Sequence, residues 1–206
     1  MVSKLKIGGL ALLAVLATIA VAASAAQAGE FTASEYPATI TGSQTAKHDF
    51  KFQTGTVSCA KATFHGTLEE ASETLTVKAD YKECKTPNGG VSVKMNSCDF
   101  LLHADETIEN GRVDGSLDIQ CNEEGDEIEF VEPANGCVIK VPAQEGLGTL
   151  VYTNKEMAGD FEMDISLTEM LYTQNEKCNE QGTFEDGQYL GKSTMQADEE
   201  IKTMVS

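Results

Sequence analysis

The feature that most restricts this chain is a hydrophobic period of two. Leu75, Val77, Ala79 and Tyr81 alternate with Thr74, Thr76, Lys78 and Asp80, and Val91, Val93 and Met95 alternate with Ser92 and Lys94. Val113, Leu117, Ile119 and Cys121 share one parity, against Asp114, Ser116, Asp118 and Gln120. Ile128 and Phe130 sit beside Glu127 and Glu129, and Phe161, Met163, Ile165 and Leu167 alternate with Glu162, Asp164 and Ser166. Strict alternation describes strands with one face buried and the other in water. Turn formers punctuate the runs: Pro87-Asn88-Gly89-Gly90, Asn110-Gly111, Gly125-Asp126, Asn135-Gly136 and Asp186-Gly187. The expected fold is all-β, an antiparallel sandwich or barrel of about ten to thirteen short strands. One stretch reads two ways. Met163, Leu167, Met170 and Leu171 also fit a helical stripe, so a short helix near 166–172 is the alternative to a strand that continues from Phe161.

The first 28 residues follow a different rule. Lys4 and Lys6 precede an uncharged run from Ile7 to Ala26, which ends in Ala26-Gln27-Ala28 before Gly29. A basic start, a short apolar run and small residues at −3 and −1 form an export signal, so the cut is expected after Ala28. An uncleaved anchor is the competing reading. Residues 29–206 then form one exported β-rich domain, secreted or held at the cell envelope, with no second apolar run to span a membrane. Two of the 15 basic residues and none of the 33 acids lie before Gly29, so cleavage moves the formal charge from −18 to −20. Such a chain repels nucleic acid and anionic membranes and attracts cations and basic proteins.

Six cysteines remain: Cys59, Cys84, Cys98, Cys121, Cys137 and Cys178. Their even number in an exported chain, without close CxxC or CxxH pairs, reads as three disulfides rather than a metal site. Register suggests partners. A hairpin that pairs Leu68 with Leu75 has an index sum of 143, and Cys59 and Cys84 share that sum. A two-residue turn at Asn110-Gly111 pairs Glu109 with Arg112, a sum of 221, whereas Cys98 and Cys121 give 219; a longer turn absorbs the difference. Cys137 and Cys178 are left for each other.

Several short strings carry a resemblance: Gly29-Glu30-Phe31-Thr32-Ala33, Tyr36-Pro37-Ala38-Thr39-Ile40, Gly55-Thr56-Val57-x-Cys59, Tyr81-x-x-Cys84, Met95-Asn96-x-Cys98, Asp118-Ile119-x-Cys121 and Cys137-Val138-x-x-Val141-Pro142. Over nearly its full mature length the chain resembles a group of secreted six-cysteine proteins of actinobacteria to which no activity is attached. The resemblance implies an extracytoplasmic β-rich protein and transfers no functional residue. This chain is more acidic than that group, and its Asp198-Glu199-Glu200 tail is more polar.

No catalytic signature stands out. The histidines are His48, His65 and His103, none in a motif, and Gly-x-Ser-x-Gly is absent. For an extracellular hydrolase, His103 with Asp105 is the least implausible pair. With 33 acids, paired carboxylates arise by chance, and a chain without Trp lacks the usual platform for a sugar ring. Gly187-x-x-x-Gly191-Lys192-Ser193-Thr194 is one residue short of a phosphate loop and lies in strand-like surroundings. The densest acids, from Asn122 to Glu129, offer Glu123, Glu124 and Asp126 as calcium ligands at a hairpin tip, although the EF-hand spacing is missing. Otherwise no metal or cofactor is expected. The sequence therefore reads as a non-enzymatic binding or envelope-associated module, with a hydrolase or an acidic calcium-binding protein as alternatives.

Overall fold

The computed structural model describes residues 29–105, 107–108, 112–155, 159–197 and 203–206. The export signal, the Asn110-Gly111 turn and the Asp198-Glu199-Glu200 tail lie outside the described residues. Among these residues the chain forms fourteen strands and no helix: β1 (Phe31–Ala33), β2 (Ala38–Phe52), β3 (Gly55–Leu68), β4 (Thr74–Thr86), β5 (Gly89–Lys94), β6 (Cys98–His103), β7 (Thr107–Ile108), β8 (Arg112–Cys121), β9 (Ile128–Glu132), β10 (Cys137–Val141), β11 (Gln144–Lys155), β12 (Asp160–Gln174), β13 (Gly182–Ala197) and β14 (Thr203–Val205).

Of the two all-β architectures, the barrel is the one adopted. β5 and β6 pair with opposite ends of β4, β9 and β8 pair with β5 and β6, and β10 and β11 pair with β9 and β8. All these pairings are antiparallel, so each couple runs in one direction and acts as a single long strand broken near its middle. β10 and β11 in turn pair with the two ends of β12. The result is an eight-stranded up-and-down barrel in the order β2, β3, β4, β5–β6, β8–β9, β10–β11, β12 and β13, closed by β13 against β2. Closure leaves the barrel wall no open edge.

The buried residues on alternate positions of every long strand fill the inside. Charged residues such as Lys78, Asp80 and Lys82 on β4 or Glu162 and Asp164 on β12 point outward, the reverse of a membrane-spanning barrel. No helix among the described residues is long and apolar enough to cross a membrane. One mouth is covered by a ribbon of β1 and β14. Phe31 plugs it, its ring 5.3 Å from that of Tyr152 and 6.0 Å from that of Phe161. The Asn154 side chain holds the ribbon by donating to Val205 O and accepting from Val205 N.

The three disulfides join Cys59 to Cys84, Cys98 to Cys121 and Cys137 to Cys178. The sum of 143 holds from Ser58 opposite Lys85 to Gly66 opposite Val77, with the first cystine in that register. The second cystine keeps 219 along β6 and β8, while β7 pairs with β8 at 220, Ile108 opposite Arg112. The two-residue discrepancy therefore divides in half: the register is one residue off the expected sum at β7 and slips once more between β7 and β6.

One alternative is decided and two expectations are corrected. β12 runs unbroken as a strand through the stretch with a helical alternative. Between Leu167 opposite Tyr189 and Met170 opposite Gly187 it carries an extra residue, with Glu169 at φ 61°, and this bulge shifts the inward parity from Leu167 to Met170. One bulge in a strand imitates a helical stripe. Asp186-Gly187 is not a turn but lies inside β13, where a Cβ on Gly187 would sit 2.6 Å from Met170 O. The acidic stretch from Asn122 to Glu127 is not a hairpin tip. It is an excursion from one interrupted strand, since β8 and β9 continue in the same direction on either side.

Candidate functional site

An eight-stranded barrel is the size at which the interior is either filled by side chains or left open for one small ligand. Here it is filled. Phe50 stacks on Tyr189 at 4.3 Å and meets Phe130 at 4.8 Å. The void left between Phe50, Phe100, Phe130, Leu167, Met170 and Tyr189 is about 10 Å³, the room of one water at most.

One polar chain crosses this core. His48 shares the inward parity of Phe50 and Phe52 and is fully buried. Its Nε2 lies 3.3 Å from Lys192 O and 3.1 Å from Ser193 Oγ, and its Nδ1 lies 2.7 Å from the Tyr189 hydroxyl, which is 2.6 Å from that of Tyr81. A carbonyl only accepts, so Nε2 carries the proton and Nδ1 accepts from Tyr189, which accepts from Tyr81. Burial lowers the His48 pKa from 6.5 to about 4, against smaller opposing effects of the Lys192 carbonyl and Asp49. Burial likewise raises both tyrosines. A Cβ on Gly191 would lie 2.5 Å from His48 Nδ1, so this glycine makes room for the imidazole and does not cradle a phosphate. Ser193 and His48 meet, but in a sealed core where no carboxylate among the described residues hydrogen-bonds to the ring. Sequence reasoning passed over this network; the signal available was His48's parity with Phe50 and Phe52.

The second histidine site is on the outside. His103 Nε2 is 2.8 Å from Asp118 Oδ2, and Asp118 Oδ1 accepts from Gly146 N at 2.7 Å. The expected partner, Asp105, is instead an exposed residue past the end of β6. No hydroxyl or thiol among the described residues hydrogen-bonds to the His103 ring, so a nucleophile is missing from the pair. His65 is exposed on β3, opposite Lys78.

The proposed calcium ligands do not converge. The Asp126 carboxylate accepts from Ser97 N at 3.1 Å, and Glu123 N donates to Ser97 Oγ at 2.9 Å, which stitches the excursion to the neighbouring break in β5–β6. Among the described residues no group of three His, Cys, Asp or Glu side chains gathers to hold an ion.

The surface itself carries the strongest asymmetry. Among the described residues the only exposed large apolar side chain is Tyr36. Charge, in contrast, is sorted by strand. β2, β3 and β4 hold six lysines against three acids. The opposite wall, described residues 112–155 and 159–174, holds three basic residues against thirteen acids. No family model, no curated protein and no solved structure matches the chain. Function therefore has to be argued from this geometry.

Proposed function

We propose that the protein is an exported, non-enzymatic binding module that recognises a cationic partner, such as a basic protein segment, through the acidic wall of its barrel. The observation that carries this reading is the filled interior. A barrel whose interior holds no ligand-sized cavity among the described residues, and which exposes one large apolar side chain among them, has its charged outer face left for recognition. Three cystines in a compact β-domain are consistent with life outside the cytoplasm, and the resemblance to secreted six-cysteine proteins agrees with export. A hydrolase would need a nucleophile beside His103.

Calorimetric titration of residues 29–206 with an oligolysine peptide tests the proposal. We expect saturable binding that weakens as NaCl rises and weakens further in Glu123→Gln/Glu124→Gln/Glu127→Gln. Absence of binding at low salt, or an unchanged affinity in the triple variant and in a matching Glu162→Gln/Asp164→Asn variant, would overturn it. A melt in CaCl₂ against MgCl₂ at equal ionic strength is expected to show no calcium-specific rise.

A further inference from the structure

We propose that the basic wall holds an oxyanion site for a phosphate-type group, in the concavity between the β2–β3 and β4–β5 turns. This goes beyond the acidic-wall reading and does not depend on it. The concavity has a volume of about 440 Å³ and is lined by Lys47, Thr54, Thr56, Ser58, Lys85 and Asn88 among others, with no acid in the lining. That is the volume of a small-molecule site, although this one is open on its outer side.

Its donors are unspent. Lys82 lies 2.6 Å from Asp80, and Lys61 is paired with Glu83. Lys47 and Lys85, on the same wall, make no ion pair with any described residue, and neither does neighbouring Lys51. The side chains of Thr54, Thr56, Ser58 and Asn88 likewise have no hydrogen-bond partner among the described residues. The Thr86 hydroxyl alone is committed, to Glu132 Oε1 at 2.7 Å. The nearest acid on β2, Asp49, stands opposite Ser58 and is half-buried outside the lining. A chain with 33 acids thus leaves two cations and four neutral donors facing one concavity with no anion among them.

The donor types select the ligand. A tetrahedral oxyanion accepts from several separately directed donors, and lysine serves it as a point charge. Planar carboxylates are gripped best by an arginine fork, and the single arginine, Arg112, is on β8 across the barrel. No aromatic ring lines the concavity to stack a base. The acidic opposite wall repels a long, thick polyanion such as duplex DNA. A single phosphate, or a thin chain that bears phosphates, is what fits.

The test is calorimetric titration of residues 29–206 at low salt, with inorganic phosphate in one arm and tripolyphosphate in the other. We expect saturable binding in at least one arm. Orthophosphate alone suffices if the ligand is a single group, and only the chain binds if it is a polymer. Lys47→Gln/Lys85→Gln should weaken binding about tenfold or more, while Lys61→Gln/Lys82→Gln, which removes the same charge from the paired lysines, should leave it unchanged. These exposed lysines are outside the core, so both variants should melt as the parent does. No saturation in either arm, or equal loss in the two variants, would overturn the site.

Discussion

The buried imidazole of His48 should make this fold acid-sensitive in a way that a single substitution can isolate. Above pH 6.5 the ring is neutral in both the folded and the unfolded chain. Below it the unfolded chain binds a proton, while the folded chain, with a pKa near 4, does not. Stability from this group is therefore full above the unfolded pKa and is lost as the pH falls towards the folded one. The gap between 6.5 and about 4, at about 1.4 kcal/mol per unit, gives a loss of about 3 kcal/mol by pH 4. The ring is surrounded by neutral Tyr81, Tyr189 and Ser193, with Asp49 as the one nearby charge that opposes the shift. The many surface carboxylates also titrate on the way to pH 4, so the raw pH profile mixes two effects. His48→Gln removes one of them: the amide can still accept from Tyr189 and donate to Lys192 O, but it does not titrate. Urea unfolding with cystines intact, followed by circular dichroism because the chain has no Trp, gives the difference between parent and variant. That difference should shift against the parent by about 3 kcal/mol between pH 7 and pH 4. Parallel profiles, or a parent that gains on the variant in acid, would refute the buried neutral imidazole.

Two further predictions rest on how the broken strands are held. Gln144 follows the break between β10 and β11. Its side-chain amide donates to Leu171 O at 3.0 Å and accepts from Leu171 N at 2.8 Å, so it stands in for a missing peptide of the ladder. Gln144→Ala leaves both Leu171 groups unpaired and should cost about 2 kcal/mol in urea unfolding, whereas Glu145→Ala beside it should cost almost nothing. Replacing Cys137 and Cys178 together by Ser opens the longest cystine loop, 41 residues in separation. On the chain-entropy account it should remove about 4 kcal/mol, more than the same change at Cys98 and Cys121; an equal or smaller loss would mean that strain or residual structure outweighs loop length.

The parts of this molecule that could be read from the sequence are those in which side-chain parity decides the outcome. The runs at 74–81 and 161–167 alternate because one face of each strand fills the barrel, and the same arithmetic places Cys59 across from Cys84 without any knowledge of the fold. Parity fails where a strand bends. At Glu169 one extra residue turns an alternating run into a helical stripe, and at Asn122–Glu127 a cluster of Asn, Gly and Asp has the chemistry of a reversal although the chain continues forward. Local composition cannot separate a turn from an excursion, because both need the same backbone freedom. What separates them is whether the next strand pairs with the previous one or with its neighbour.

Charge obeys the same logic one level up. The formal charge of −20 expected after cleavage led to the expectation of a surface that repels nucleic acid and anionic membranes. The lysines are concentrated between residues 47 and 85, and that run becomes a wall only because β2, β3 and β4 are consecutive neighbours in an up-and-down meander. In a Greek-key sandwich the same three segments could fall in two sheets, and the lysines would be diluted among acids. Sequential topology therefore converts a one-dimensional charge bias into a two-sided barrel, acidic on one wall and basic on the other. On the two binding proposals made above, the cation and the oxyanion would therefore be met on opposite walls, and neither ligand should compete with the other.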